Sequence, residues 1–444
     1  MTVETTRAGL SSEEIVALSR KHTIFSWSVQ GALDPIAIDH AEGVYLYTPE
    51  GRRILDFNSQ LMSVNIGHGD RRVIDAINEQ ASKLQYVQPA FATEIRARLG
   101  AKLAEILPGD MDKVFFTLGG AEAIENAIKF ARQYTGRYKV LARYRAYHGA
   151  TMGAMTLTGD PRRWATEPGL VGVVRYADTH RWGEKEPRPV AEALQGLEDV
   201  IRYEGAHTIA AVFLETIVGT NGILIPPDGY IQGVREICDR NDILMVCDEV
   251  MAGFGRTGRW FAVDHWDVIP DLMTVAKGLT SSYLPLGAVA MRPHIAEAFE
   301  TKMFYGGLTY SSHPVSLAAS LATIGVYEED GLIGNAARLG PVMQAHHQRL
   351  AAKHPSVGAH RNLGLFGVLD LVRSHDPWTP MTPYNGTSDE MKAIGKFFRD
   401  HGLYTMVSNN SIHTNPPLCI TDDQLAEGFE IIDQALEISD QALR

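Results

Sequence analysis

The chain has 444 residues, enough for two domains or one large domain with a satellite. Its 41 Lys and Arg against 53 Asp and Glu leave a formal charge of −12, which excludes binding to nucleic acid or an anionic membrane through bulk charge. Three cysteines without metal-ligand spacing, no apolar run of about 18 residues and a polar, acidic start predict a reduced, cytoplasmic protein with neither a spanning helix nor a signal peptide.

In chain order, residues 1–22 read as a mobile arm and a short helix capped by Ser11 or Ser12. Gly43–Tyr47 and Arg53–Phe57 flank Pro49-Glu50-Gly51 and predict a β-hairpin. A loop over residues 59–68 leads into a helix at Arg71–Leu84. The Tyr86–Thr93 loop carries aromatic residues that can line a pocket, and Glu94–Ile106 is a helix stopped by Pro108-Gly109. From Val114 to Pro314 strand and helix patterns alternate, which predicts a doubly wound α/β domain. After the Pro314–Glu329 helix come helices at Gly334–Lys353, Ser388–His401 and Gln424–Leu443. Short strands at Leu363–Leu371 and around Leu418-Cys419-Ile420 complete a smaller α+β domain. The expected division is residues 1–65 contributing to the small domain, 66–329 as the large domain and 330–444 as the C-terminal small domain.

The chemistry-bearing residues stand where apolar strands end. Ile243–Cys247 runs into Asp248-Glu249, Leu272–Ala276 into Lys277-Gly278, and Ile209–Leu214 into Glu215. Val114–Phe116 leads to Thr117-Leu118-Gly119-Gly120, and Lys139–Ala142 to Tyr147-His148-Gly149. Ligands of open α/β sheets bind outside the carboxyl ends of the strands, so these residues can share one crevice. Taken singly, each has a structural reading: a surface cap, a plain turn, a core tyrosine, a buried carboxylate paired with an arginine. Together they supply what a pyridoxal phosphate (PLP) site needs. Gly120 and Ala121 open a helix whose first N–H groups and dipole suit a phosphate. Tyr147 offers a flat ring for stacking. Asp248 can keep a pyridine nitrogen protonated, and Lys277 can form a Schiff base and move a proton. Thr309, in Gly306–Ser311, adds a hydroxyl for a phosphate. The glycine-rich loop around Arg256 reads as packing, and His68 and His148 read as structural rather than metal ligands.

As a set, Phe116–Arg132, Tyr147-His148-Gly149, residues 248–258, Ala276-Lys277-Gly278 and Thr309–Pro314 resemble the class III PLP-dependent aminotransferases, the ω-transaminase group of fold type I. The likeness runs from Phe25 to Leu443. Residues 26–30, Arg162-Arg163-Trp164 and Pro416-Pro417-Leu418 are most similar to amine–pyruvate and taurine aminotransferases. The resemblance implies a large mixed-sheet domain plus a smaller α+β domain, and PLP bound through Lys277. Asp248 would pair with the ring nitrogen and Val250 and Tyr147 would cover its faces. Gly120 and Ala121 would hold the phosphate, with His148 and Glu215 in the cofactor site. Thr309 would reach the phosphate of a neighbouring subunit's cofactor, which makes a homodimer the minimal unit and leaves a tetramer open. Trp27, Leu61, Tyr86, Phe91 and Ser408 would shape the substrate pocket.

Two departures from the family pattern matter. Ile124 stands where relatives commonly carry Asn. No Arg lies between His401 and Ile420, where relatives commonly carry one for the substrate carboxylate, and Ser408 is the nearest match by position. The expected reaction is ping-pong transfer of an amino group from a primary amine or ω-amino acid to a 2-oxo acid, with pyruvate as acceptor. The alternatives are an aminomutase or decarboxylase on the same fold, a 2-oxoglutarate-dependent taurine or 4-aminobutyrate type enzyme, and a PLP-holding regulatory protein without turnover.

Overall fold

The computed structural model describes residues 9–166, 169, 171–177 and 179–443. The arm expected over the first eight residues lies outside them. Residues Ser12–His22 form the expected helix, capped by Ser11, with Glu14 closing a capping box.

A seven-stranded sheet forms the centre. From edge to edge its strands are Lys113–Thr117, Gly287–Met291, Leu272–Val275, Leu244–Asp248, Ile209–Glu215, Lys139–Arg143 and Val173–Tyr176. Gly287–Met291 is antiparallel to both of its neighbours, and the other pairings are parallel. The sheet is therefore mixed, as expected of fold type I. Ile209–Glu215 and Leu244–Asp248 are buried along their whole length. That explains their unbroken apolar sequence, since a strand covered on both faces has no polar side. Each fully buried Leu, Ile or Val contributes about 1.5–3 kcal/mol.

Parallel pairing fixes the register that matters. Glu215 lies opposite Asp248, and Asp248 opposite Thr274. The Leu272–Val275 strand then turns at Ala276 into a 3-10 turn that begins with Lys277. Three neighbouring strands thus deliver Glu215, Asp248 and Lys277 to one edge.

The N-terminal hairpin forms as expected, with Tyr45–Tyr47 antiparallel to Arg53–Asp56. Arg53–Asp56 also pairs in parallel with Leu403–Tyr404, which ties the two ends of the chain together. A third sheet holds Val357–Leu363, Phe366–His375, Ser411–Thr414 and Val407–Ser408, and Trp378–Pro380 pairs with Phe366–His375.

Two expected strands differ. The Leu363–Leu371 run is broken at Gly364 (φ +58°) and belongs to two antiparallel strands, because the apolar run continues across the turn. Leu418-Cys419-Ile420 is not a strand. Leu418 N–H donates to the Asn65 carbonyl and Ile420 N–H to the Pro417 carbonyl, so the segment is a buried connection into the Asp422–Asp440 helix.

The Gly253–Gly258 loop serves packing. Arg256 is fully buried and donates to the Leu365 and Pro416 carbonyls, to Ser59 Oγ and to Asn65 Oδ1. It cross-links the large sheet's loop to the N- and C-terminal segments, and burial lowers its pKa to about 10.

Candidate active site

The helix Gly120–Thr135 follows the Lys113–Thr117 strand directly. Its N-cap is Gly119, in extended backbone and without a side chain to cap the first turn. The uncapped turn leaves N–H donors and the positive end of the dipole for an anion. Gly120 is required by its neighbour: a Cβ there would meet Val250 Cγ1 at 2.9 Å. Gly149 (φ +134°) is required twice, by its backbone and by Ala121, whose Cβ would lie 2.5 Å from an added one. The Tyr147-His148-Gly149 loop is therefore pressed onto the first turn of the phosphate-type helix.

A cavity of about 510 Å³ opens there. Gly120, Ala121, Tyr147, His148, Glu215, Asp248, Val250, Lys277 and Leu61 all line it. The residues taken from separate strand ends thus meet in one space. Its size falls within the roughly 300–1,000 Å³ of small-molecule sites.

Asp248 is 5% exposed and held from two sides. Its Oδ1 accepts the Val250 N–H (3.0 Å), and its Oδ2 lies 2.8 Å from His148 Nδ1. The other ring nitrogen of His148, Nε2, is buried and has no hydrogen-bond partner among the described residues. Glu215 accepts the Tyr147 N–H at Oε1 and the Gly219 N–H at Oε2, both at 2.9 Å. It fixes the backbone of the aromatic loop. Burial raises its pKa and the Asp248 charge adds to this, while His148 and the two N–H groups oppose them.

Lys277 has φ +42°, the left-handed region that a lysine adopts only under constraint. Burial lowers its pKa, the Asp248 and Glu215 charges oppose that, and the Arg162 guanidinium lowers it further. The neutral amine, which is the nucleophilic form, is favoured by the burial.

Arg162 is the functional candidate to which residue chemistry alone assigned no role. Its guanidinium carbon lies 3.6 Å from the centroid of the Tyr147 ring and 5.7 Å from that of Trp27. It donates to Asp160 and, from Nη2, to Thr220 Oγ1 (2.7 Å), and Thr220 lines the cavity. The available signal was the Asp160-Pro161-Arg162 start of a 3-10 turn, in which Asp160 caps the Arg162 N–H.

Five expected site residues stand elsewhere in this subunit. Thr309 is exposed and outside the cavity, and its carbonyl accepts the Tyr86 hydroxyl (2.8 Å). Tyr86 is thereby drawn into a surface cluster with Tyr310 and His313. Phe91 is 57% exposed and also does not line the cavity. Ser408 pairs with Ser411 across a tight turn at Asn409 (φ +51°), so the segment that lacks the arginine is held as a hairpin away from the cavity. Trp27 is 61% exposed and reaches the site through Tyr147, edge to face at 6.2 Å between centroids, and through Arg162.

Residues 28–436 match the model of the class III aminotransferases. The chain belongs to this family. An omega-aminotransferase from Caulobacter vibrioides is 36% identical over 423 residues, covering 90% of this chain and 93% of its own. A putrescine–pyruvate aminotransferase from Pseudomonas aeruginosa is 33% identical over 450 residues, 96% of each chain. Among solved structures, a taurine:2-oxoglutarate aminotransferase from Bifidobacterium kashiwanohense, in complex with PLP and glutamate, superposes with a TM-score of 0.95 at 38% identity, covering 98% of this chain and all of the other.

This aminotransferase uses PLP. Its residues fit the group: an uncapped helix start for a phosphate, two glycines whose replacement would fill the cradle, an orphaned imidazole nitrogen, and a carboxylate and a lysine on one cavity. Ile124, the first departure, is a fully buried residue of that helix, packed into the core, and does not line the cavity.

Proposed function

We propose that this PLP-dependent aminotransferase acts as an ω-transaminase, taking an amino group from a primary amine or ω-amino acid and giving it to a 2-oxo acid such as pyruvate. The observation that carries the reading is the convergence of Lys277, Asp248 and the Gly120 helix start on one cavity. When bound, the cofactor supplies an electron sink that stabilises negative charge at the substrate carbon.

The chain's own groups do the rest. Lys277 Nζ would hold the cofactor and, as a neutral amine in the cavity, would serve as the base that moves the substrate's proton. Asp248, oriented by His148 and the Val250 N–H, would keep a proton on the ring nitrogen. Glu215 holds the Tyr147 backbone, Tyr147 and Val250 would cover the two faces of the ring, and Gly120 and Ala121 would hold the phosphate. Arg162 binds the acid group of the substrate in place of the arginine missing near Ser408. Its contact with Thr220 and its effect on Lys277 support that assignment. An Arg–carboxylate pair is stronger than anything Ser or Asn offers.

The site is completed by a second copy of the chain, with Thr309 serving the neighbouring cofactor. Thr309 lies outside its own subunit's cavity, beside the exposed Tyr86, whose hydroxyl it binds, and Tyr310. Three free cysteines support a reducing, cytoplasmic setting. Amine donor added alone should convert the bound cofactor's absorbance to that of its aminated form, and pyruvate added afterwards should restore it. Donor consumed without that change overturns half-transfer.

A further inference from the structure

A second cavity, of about 590 Å³, lies between the helix Asp389–Asp400 and the N-terminal hairpin sheet. It shares no lining residue with the catalytic cavity. Gln60 walls one and its neighbour Leu61 the other, so a single turn divides them.

Its floor is apolar. Leu46 and Ile54 come from the hairpin, Phe398 from the helix and Leu403 from the strand that follows. Ile36 and the 40% exposed Ile38 form its wall. The helix packs through Met391, Ile394 and Phe398, and Lys392, Lys396 and Arg399 flank that stripe at a spacing of about one turn. All three line the groove. The acids that pair with the two lysines, Asp389 and Asp400, are not part of its lining, and among the described residues Arg399 makes no ion pair. Among the described residues, Asp34 is the only acid that lines the groove. An apolar floor under three cations and one acid is complementary to a short chain with an anionic head. It is not complementary to a neutral or cationic one.

We propose that this groove is a binding site for an amphipathic monocarboxylate, distinct from the catalytic cavity. The aliphatic chain lies on Ile38, Leu46 and Ile54, and the carboxylate meets Lys392, Lys396 and Arg399. Gly395 lies in the groove wall with nothing within 4 Å of an added Cβ, so a large side chain there projects into the space.

The test is calorimetric titration of the PLP-loaded enzyme with sodium octanoate, 1-octanol and octyltrimethylammonium. Octanoate should bind once per chain, and 1-octanol and octyltrimethylammonium about tenfold more weakly or not at all. Lys392→Glu/Lys396→Glu and, separately, Gly395→Trp should each weaken octanoate binding by about tenfold or more. Circular dichroism should show both variants folded, and Arg162→Ala should bind octanoate as the parent does. Equal affinity for octanoate and octanol, or no effect of either groove variant, overturns the proposal. So does loss of binding only in Arg162→Ala, which would place octanoate in the catalytic cavity. A change of sedimenting mass in the charge-reversed variant would mark the groove as a contact between copies and would also overturn it.

Discussion

His148 Nδ1 lies 2.8 Å from Asp248 Oδ2, and both side chains are buried at the end of the Leu244–Asp248 strand. The imidazole fixes the direction of the carboxylate proposed to meet the ring nitrogen. Asp248→Asn keeps the shape and removes the charge. Turnover should fall by about 10³-fold, comparable to losing a preorganised electrostatic group elsewhere. His148→Ala leaves Asp248 with one fewer partner, at a cost of about 1.5–3 kcal/mol in a buried site. It should fall between Asp248→Asn and the parent. The pH titration of the bound cofactor's absorbance checks both, because a purely structural role would leave that midpoint in place.

Arg162 lies on Tyr147 and touches the cavity rim through Thr220. Arg162→Ala should raise KM for pyruvate and 2-oxoglutarate by about tenfold or more, with kcat less affected, as expected for lost uniform binding. An aldehyde acceptor without a carboxylate should be used as well as before. Steady-state kinetics with the two acceptor classes decides it.

Gly149 has φ +134° and no room beside Ala121. Gly149→Ala should cost about 1–3 kcal/mol through strain and overpacking. It should also weaken PLP retention, because the aromatic loop must lift from the helix start. Thermal melting with and without added PLP separates the two effects. A variant that melts like the parent in both would contradict the packing.

The strand ends were legible because buried parallel strands are written as unbroken apolar runs, and a carboxylate or lysine ending such a run stands out. Glu215, Asp248 and Lys277 were found in that way. Thr309, Tyr86 and Phe91 lie on the surface of the subunit, and no pattern within one chain says what a second copy would bury. The His148–Asp248 pair spans 100 positions, so neither residue's neighbours announce the other. Leu418-Cys419-Ile420 has strand composition, yet the Leu418 and Ile420 N–H groups donate to loop carbonyls and their own carbonyls accept from the Asn335 side chain, so tertiary context overrides the local preference. The groove under Lys392 and Lys396 arises from chain ends brought together by the pairing of Leu55 with Leu403.

His347 and His413 are fully buried in the C-terminal region, with pKa lowered to about 3 and about 4, chiefly by burial. Both groups are neutral above the ordinary value of about 6.5, folded or unfolded, and contribute no pH dependence there. Below it the unfolded chain takes up protons that the folded chain refuses, so stability falls with pH until the folded pKa is reached. At pH 5 each histidine should account for about 2 kcal/mol of that loss. Denaturant unfolding of a His347→Asn/His413→Gln variant between pH 7 and pH 4 should show a shallower acid decline than the parent.

The Lys277 amine is the proposed point of covalent attachment. Borohydride treatment of the PLP-loaded enzyme, followed by proteolysis and mass spectrometry, should leave one pyridoxyl-phosphate increment per chain, on the peptide that contains Lys277. A label on any other lysine, or an unlabelled peptide from enzyme shown to hold PLP, would contradict it.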